Sequence, residues 1–263
     1  MNHCEPRVVA GVEVIPICDA VGPLGGPLRR PVEEIFRNAR PEDWAGLPTT
    51  EWILHFHVHL LRAHGRLVLV DTGVGGLSSP AAPWAPVPGA LPARLAELGV
   101  APGDIDAVVL THLHGDHYGG AIGEHGPAFP NARHLLQRAE ADAAGEPVRA
   151  ALLRPLGAGL EIVDGTAQVI PGVRVHLAPG HTPGHQIVEV GDLTITADLL
   201  HHPVQLANPA VTYRYDDDPE QAVRTRIEVL QRVRSRGGVI APAHFAEPFV
   251  NLAGWAPRGE AVA

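Results

Sequence analysis

Three histidines and an aspartate occur within a six-residue run, 112–117, which only Thr111 separates from the apolar run 107–110. Imidazole and carboxylate groups are ligands for borderline divalent ions such as zinc. Because Gly115 allows a sharp bend, the first two histidines can face one ion and the last two residues a neighbouring position. The run predicts a site for one or two metal ions at the end of a buried strand, with the candidate ligands His112, His114, Asp116 and His117.

Further ligands are needed, because three or four groups on one loop do not complete two coordination shells. Three candidates follow other strand-like runs of the sequence. They are His181, in a Gly/Pro turn after 173–177, Asp198, after 193–197, and His244, after 239–243. Each of these candidates is predicted to lie at the end of a strand.

The sequence resembles the metallo-β-lactamase superfamily of hydrolases, whose five motifs occur here in order. They are the strand and turn 70–73, the run 112–117, His181, Asp198 and His244. The resemblance covers about two thirds of the chain, from Asp71 to His244.

The resemblance also implies a role for each of these residues. The first metal would be held by His112, His114 and His181, and the second by Asp116, His117 and His244. Asp198 would bridge the two metals, and Asp71 would orient the ligand loop from outside the coordination shell.

The expected fold class is α/β, the four-layer αββα metallo-β-lactamase sandwich. Strands are predicted near 8–17, 53–61, 66–71, 107–110, 133–136, 160–163, 173–177, 186–190, 193–197 and 239–241. Helices are predicted at 31–37, at 91–98 and from Asp218 as N-cap to Gly237, the last with Val223, Ile227 and Leu230 on one face. Loops are predicted at 22–27 and 75–92. We expect residues 1–263 to form a single domain, with an insertion at about 19–50 that shapes the substrate pocket or a dimer contact.

The ligand spacing and the length most resemble the branch that contains lactonases and organophosphate and aryl-ester hydrolases. This resemblance implies a dinuclear hydrolase in which a metal-bound hydroxide attacks a lactone or carboxylic ester carbonyl, since coordination lowers the pKa of water from about 15.7 toward about 7. Asp116 is the candidate for passing a proton to the leaving group. The alternative functions are hydrolysis of phosphotriesters or β-lactams at the same metals, and metal binding without turnover. Two Zn²⁺ ions are favoured, and manganese, cobalt and iron also suit these ligands.

Two departures from the family pattern bear on the substrate. Several acyl-homoserine lactonases have a tyrosine three residues after the bridging aspartate, where this chain has His201. Ala197 stands where the family usually has glycine. The loop 75–92 either covers the substrate or packs on the surface. The candidate substrate contacts are His201, Trp84 and Phe36, with core packing as the alternative for Phe36, and Tyr213 and Tyr215 are weaker candidates.

Other histidines and the two cysteines are expected to have structural roles. Histidine alternates with apolar residues in the run 55–59, which indicates a half-buried strand rather than a second metal motif. His185, four residues after His181, is expected to be a hydrogen-bonding neighbour of the site. Cys4 and Cys18 have no metal-site spacing and are expected to be reduced thiols.

The composition excludes several classes of protein. With 263 residues, 45% hydrophobic and 19% charged, the chain can bury a large core and is unlike a disordered protein. Its net charge of -9 and its lack of a basic cluster disfavour nucleic-acid binding. Without a leader-like start or 18 consecutive apolar residues, we expect a cytoplasmic enzyme with a small-molecule ester or lactone substrate and no membrane partner. The sequence is compatible with both a monomer and a homodimer.

Overall fold

Strands dominate the chain, whose computed structural model describes residues 5–47, 49 and 52–257. In chain order the strands are β1 Arg7–Val9, β2 Val12–Pro23, β3 Phe36–Arg37, β4 Ile53–Ala63, β5 Arg66–Val70, β6 Ala107–Val109, β7 Ile122–Gly123, β8 Gly126–Pro127, β9 Arg133–Gln137, β10 Leu160–Val163, β11 Thr166–Ile170, β12 Val173–Leu177, β13 Gln186–Val190, β14 Leu193–Ala197, β15 Thr212–Tyr213, β16 Val239–Pro242 and β17 Val250–Asn251. The helices are α1 Val32–Ile35, α2 Leu91–Glu97, α3 Gly115–Tyr118, α4 Arg138–Ala143, α5 Glu146–Val148, α6 Arg154–Leu156, α7 Val204–Ala207 and α8 Pro219–Ser235.

Two large sheets are formed by these strands. One has seven strands in the order β1-β2-β4-β5-β6-β9-β10, and the other has six in the order β11-β12-β13-β14-β16-β17. Within the first sheet β5, β6, β9 and β10 are parallel, and within the second β14 and β16 are parallel. The carboxyl ends of parallel strands meet at one edge of a sheet, which is where loops from different strands can converge on a ligand.

Three apolar layers hold the sheets and helices together. Valine and leucine side chains of both sheets, such as Val70 and Val188, form the core between them. The outer face of the first sheet packs on α2 and on the helical segment 146–156 through residues such as Leu95 and Leu152. The outer face of the second packs on α8 through Leu230. The order of layers is helix, sheet, sheet, helix, as the sequence predicts.

Most of the predicted elements are present. The hairpin of β4 and β5, the strand before the histidine run and all five predicted strands between 133 and 197 are confirmed. Helix α8 begins after Asp218, whose side chain accepts a hydrogen bond from the backbone N–H of Gln221, and it ends before Gly237, which has a φ of 64°. Among the described ranges, no helix combines the length and the apolar character needed to cross a membrane.

Some boundaries in the first part of the chain differ from the prediction. The strand predicted at 8–17 is two strands, because Ala10 and Gly11 both have positive φ and form a turn. Gly22 and Pro23, predicted as loop, continue β2 at its pairing with β4. The helix predicted at 31–37 ends at Ile35, after which the chain pairs with 212–213 as β3 and β15.

Other differences concern the second part. Strand β11 and the helical segments between 138 and 156 were not predicted. The predicted apolar face of α8 is also wrong in part, since Val223 and Ile227 are half-buried while Arg226 is buried. Arg226 is tolerated inside because its guanidinium donates to the backbone oxygens of Leu199, Pro209 and Val211.

Candidate metal centre

The candidate ligands lie in loops that leave the carboxyl ends of strands. The run 112–117 follows β6, Asp198 follows β14 and His244 follows β16, while His181 lies in the loop between β12 and β13. All seven candidate residues come together beyond the ends of these strands, and all but His114 are buried.

Three imidazoles converge in the first half of the centre. Nε2 of His112 and Nε2 of His181 each lie 3.0 Å from Nδ1 of His114. These three nitrogens and a carboxylate oxygen of Asp198 lie within 4.8 Å of one another. Such convergence of nitrogen and oxygen atoms is typical of a tetrahedral divalent-metal site.

The second half of the centre contains a carboxylate and two imidazoles. Oδ2 of Asp116 lies 3.3 Å from Nε2 of His117 and 3.5 Å from Nε2 of His244. The ligand atoms of these three residues also lie within 4.8 Å of one another and form a separate group. Two adjacent groups of ligand type are therefore present.

Asp198 lies between the two groups and directs one oxygen to each. Its Oδ2 is 3.3 Å from Nε2 of His181 and 3.7 Å from Nε2 of His112. Its Oδ1 is 3.1 Å from Nε2 of His117 and 3.1 Å from Nε2 of His244. A single carboxylate with this orientation can bridge two cations.

The second ring nitrogen of each of these histidines has its own partner, which fixes the ring orientation. Nδ1 of His117 lies 2.8 Å from Oδ2 of Asp71, and Asp71 also accepts a hydrogen bond from the backbone N–H of Thr111. Nδ1 of His181 lies 2.9 Å from Oδ1 of Asp216, and Nδ1 of His244 lies 2.9 Å from the backbone oxygen of His55. The lone pairs of the opposite nitrogens are therefore directed into the centre.

Burial and charge divide the histidines into two classes. Burial lowers the pKa of His112 well below its usual value and that of His114 to about 3. Although burial opposes it, hydrogen bonds to Asp198 and Asp216 raise the pKa of His181 to about 9. Asp198 is buried too, yet the imidazoles of His117 and His244 hold its pKa well below the usual range. The centre thus concentrates negative charge and imidazole lone pairs, as a site for divalent cations does.

The sequence profile of the metallo-beta-lactamase superfamily matches residues 57–244, well over half of the chain. The chain belongs to this superfamily. Among its curated relatives, an N-acyl homoserine lactonase of Bacillus sp is 33% identical over 132 residues, which are 47% of this chain and 50% of the relative. N-acyl homoserine lactonase AttM of Azorhizobium caulinodans is 35% identical over 133 residues, which are 41% of this chain and 46% of the relative. The chain therefore spans half or less of the length of these relatives.

Solved structures of the superfamily share the whole architecture. AidC, a dizinc quorum-quenching lactonase, has a TM-score of 0.75 at 20% identity and covers 98% of each chain. The hydrolase AbOPH has a TM-score of 0.72 at 21% identity and covers 94% of this chain and 91% of its own. At these identities the likeness shows the fold, and it confirms the predicted metallo-β-lactamase sandwich.

A cavity of about 230 Å³ opens onto the metallo-β-lactamase centre and contains His114, Asp116, His181, Asp198 and His244 in its lining. Its other walls come from four segments of the chain. They are formed by Leu24 and Leu28, by Leu54, by Trp84, and by Tyr213 and Tyr215. Trp84 of the loop 75–92 and the insertion at 19–50 therefore both reach the cavity.

The other candidate substrate contacts lie behind this wall. Phe36 is buried and packs against Trp52 and Tyr213, so it has the core position that was its alternative reading. His201 is buried with Nε2 at 3.1 Å from Oδ2 of Asp198, and its ring stacks on Tyr213 at 3.7 Å between centroids. His201 thus contacts the centre itself, and Tyr213 separates it from the cavity.

A larger cleft of about 900 Å³ lies on the other side of the loop 75–92. It is lined mainly by apolar residues and glycines, and none of the seven candidate ligands borders it. The smaller cavity is therefore the one that the candidate ligands line.

Two neighbours of the centre explain features of the sequence. Nε2 of His185 accepts a hydrogen bond from the backbone N–H of Asp198, which is the neighbouring role expected for it. Ala197 has a φ of 42°, a left-handed conformation that favours glycine, so a glycine suits this position in other family members.

Three further residues contribute to the centre, and two of them are not among the sequence candidates. Asp216 orients His181, Tyr213 lines the cavity, and Glu140 connects two ligand loops. Each of them reaches the centre through packing between distant segments. Only Tyr213 stood among the weaker sequence candidates.

Proposed function

We propose that this chain is a metal-dependent hydrolase that opens lactones or cleaves carboxylic esters at the centre formed by its seven candidate ligands. The observation that supports this most is the position of Asp198, whose two oxygens face two separate groups of ligand-type atoms. N-acyl homoserine lactonases are among the relatives of the chain, which favours lactones as substrates.

The residues present fit a pair of divalent ions. Oδ1 of Asp198 and Nε2 of His117 are buried and lie 3.1 Å apart, yet neither makes a well-oriented hydrogen bond within residues 5–47, 49 and 52–257. Buried polar atoms without partners are costly, and a cation would satisfy both. The first ion would be held by His112, His114, His181 and Asp198, and the second by Asp116, His117, His244 and Asp198. We propose zinc, because these nitrogen and oxygen donors suit it and a dizinc lactonase shares the fold.

Two bound ions would supply Lewis-acid polarisation of the substrate carbonyl and a hydroxide nucleophile at neutral pH. The chain itself supplies positioning and proton transfer. His117 holds the pKa of the Asp116 carboxyl below its usual value despite burial, so Asp116 is a carboxylate at neutral pH and can accept a proton. Because Asp116 also lines the cavity, it can pass that proton to the departing alkoxide.

The small volume of the cavity and the leucines in its wall favour a substrate with a compact reacting group and an apolar extension. Leu24 and Leu28 come from the insertion at 19–50, and the hydroxyl of Tyr215 donates to the backbone oxygen of Leu28. This contact ties the insertion to the segment that carries Tyr213. We propose that residues 1–263 act as one domain in which the insertion forms part of the substrate pocket.

The decisive experiment measures proton release at constant pH with zinc-loaded protein. The substrates are an acyl-homoserine lactone, the linear methyl ester with the same acyl group, and an aryl phosphotriester. We expect the lactone to be hydrolysed fastest. Faster phosphotriester turnover would move the function to the organophosphate class, and no turnover of any substrate would indicate a metal-binding protein without activity.

Variants of the ligands test where the reaction occurs. His112→Ala and His181→Ala should each lower the bound metal and abolish hydrolysis. His59→Ala is the matched control, since His59 is buried on β4 but belongs to no group of ligand type. Asp116→Asn should lower turnover, and a variant that keeps both ions and full turnover would contradict the proton-transfer role.

A further inference from the structure

A second cluster of ligand-type side chains lies outside the dinuclear centre, on strands β2 and β4. It consists of Cys18, His55 and His57, each of which offers a ligand atom within 4.8 Å of the other two. Sγ of Cys18 lies 3.5 Å from Nδ1 of His55, and the two imidazole rings stack with centroids 5.5 Å apart. The alternation of histidine with apolar residues predicts a strand, and Cys18, 37 residues away from His55 along the chain, takes no part in that pattern.

The pairing of the two strands brings these side chains to one face. Cys18 pairs with His57, and the register between β2 and β4 shifts after Cys18, with Asp19 as the extra residue. The Asp19 carboxylate accepts hydrogen bonds from the backbone N–H groups of Val74 and Leu91, away from the histidines. The bulge therefore leaves the thiol beside both imidazoles.

His57 has the hydrogen-bond arrangement of a metal-ligating histidine. Its Nε2 lies 2.8 Å from the backbone oxygen of Phe245, which can only accept, so Nε2 carries the proton. Nδ1 is then the nitrogen with the lone pair. It is buried and has no hydrogen-bond partner within the described part of the chain, although the side chain is only 4% exposed. Metal-bound histidines donate their second nitrogen to a backbone or carboxylate oxygen in the same way.

We propose that Cys18, His55 and His57 bind a third divalent ion that prefers thiolate and imidazole ligands, such as Zn²⁺. Zinc bonds of about 2.3 Å to sulfur and about 2.0 Å to nitrogen, at a tetrahedral angle, separate the two ligand atoms by about 3.5 Å. The distance between Cys18 and His55 already has this value. Three protein ligands leave the fourth position for solvent.

The site would lie next to the dinuclear centre without sharing a ligand with it. The backbone N–H of His55 donates to the oxygen of His244, and that of His57 donates to Ala243. An ion on the two histidines would therefore brace the strand segment that carries His244. The proposed site can be tested without measuring hydrolysis. Its thiolate ligand distinguishes it from a centre built only of nitrogen and oxygen donors.

Cobalt substitution of the full-length protein tests the proposal directly. Co²⁺ bound to a thiolate absorbs in the near ultraviolet through charge transfer, whereas Co²⁺ on imidazole and carboxylate does not. We expect Co²⁺ titration of metal-free protein to give three equivalents and this absorption band. The band and the third equivalent should be lost in Cys18→Ser, and His55→Ala should lose the third equivalent or weaken its binding at least tenfold.

Two controls keep the result specific. His59 lies on the same face of β4 outside the cluster, so His59→Gln should retain the band. Cys4→Ser removes the other cysteine and should also retain it. The visible absorption of Co²⁺ at the dinuclear centre reports that each variant is folded. A saturated protein without the charge-transfer band would overturn the proposal, as would a band that persists in Cys18→Ser.

Discussion

Asp216 lies with Oδ1 2.9 Å from Nδ1 of His181, and both side chains are buried. Its other oxygen lies 3.7 Å from the guanidinium of Arg226, which is also buried. Burial lowers the pKa of Arg226 to about 10, so the guanidinium is still charged at neutral pH. Although burial opposes it, the hydrogen bond and the charge of His181 lower the pKa of Asp216, with a smaller contribution from Arg226 on α8. Asp216 thus fixes the ring of a candidate ligand from a segment 35 residues away.

Asp216→Asn should weaken binding of the first metal ion by roughly 10- to 100-fold, because the amide no longer holds His181 as a carboxylate does. The measurement is a competition between the protein and a chelator for Zn²⁺. Asp217→Asn, at the exposed neighbouring position, is the control and should leave the affinity unchanged. Equal affinities of Asp216→Asn and the parent protein would show that the His181 orientation is set by other contacts.

Metal binding should release protons near neutral pH. In the metal-free protein, carboxylates overcome burial to raise the pKa of His181 to about 9 and that of His117 and His244 above the usual value. These groups bind protons at pH 7 and must lose them to coordinate an ion. His112 and His114 contribute none, because burial keeps them neutral.

Calorimetric titration with Zn²⁺ in buffers of different ionisation enthalpy measures this release. The number of protons released per ion should be larger at pH 7 than above pH 9, where His181 is already neutral. The apparent affinity should fall as the pH is lowered, since protons then compete with the metal. A release that is the same at both pH values would contradict the raised pKa values.

Tyr213 is expected to act on the substrate rather than on the metals. Burial and the nearby carboxylates of Asp198 and Asp116 raise the pKa of its phenol, so the hydroxyl stays protonated and can donate a hydrogen bond in the cavity. Loss of one donor to a developing negative charge costs about 100-fold in rate. Tyr213→Phe should therefore lower kcat for the lactone by about this factor and leave the metal content intact.

Tyr215→Phe is the matched comparison for Tyr213→Phe. Its hydroxyl donates to the backbone of Leu28, so its loss should reduce stability slightly and affect kcat much less. If both variants lose kcat equally, the Tyr213 hydroxyl has no special role in the reaction.

The sequence predicts the centre well where ligands follow strands of their own. The run 112–117 begins three residues after the end of β6. Asp198 directly follows β14, and His244 lies two residues after its parallel neighbour β16, so local pattern and strand direction suffice to place them. It fails where a residue acts across a long separation. Asp216 and Glu140 are ordinary acidic residues in their own segments, and only the packing of helices on the sheets brings them to the ligand loops.

The fold shows the same division between local and long-range information. Periodicity predicts most strands, but the interior position of Arg226 on α8 does not follow from it, because arginine is rarely fully buried. The backbone oxygens that accept its hydrogen bonds come from the segment 199–211. This segment lies outside α8, so the residue pattern of the helix does not indicate the contact. The Cys18 cluster escapes prediction for the same reason, since strand register joins residues that are far apart in sequence.

Glu140 joins the two loops that carry His112, His114 and His181, the candidate ligands of the proposed first ion. Its Oε1 accepts a hydrogen bond from the backbone N–H of Leu113, and its Oε2 accepts from the hydroxyl of Thr182 and the N–H of Gly184. Gly184 is required at this contact, because a Cβ there would lie 2.2 Å from the backbone nitrogen of Glu140. The loops are thus held against α4 by one buried carboxylate.

Glu140→Ala should destabilise the metal-free protein by about 2–5 kcal/mol, because two buried N–H groups lose their acceptor. Denaturant unfolding without metal is the appropriate measurement, since bound ions would also tie the loops together. Glu140→Gln should be intermediate, because its amide keeps one acceptor oxygen, and the exposed Glu228→Ala should change stability by less than about 0.5 kcal/mol. A loss below about 1 kcal/mol for Glu140→Ala would show that the ligand loops are positioned without this carboxylate.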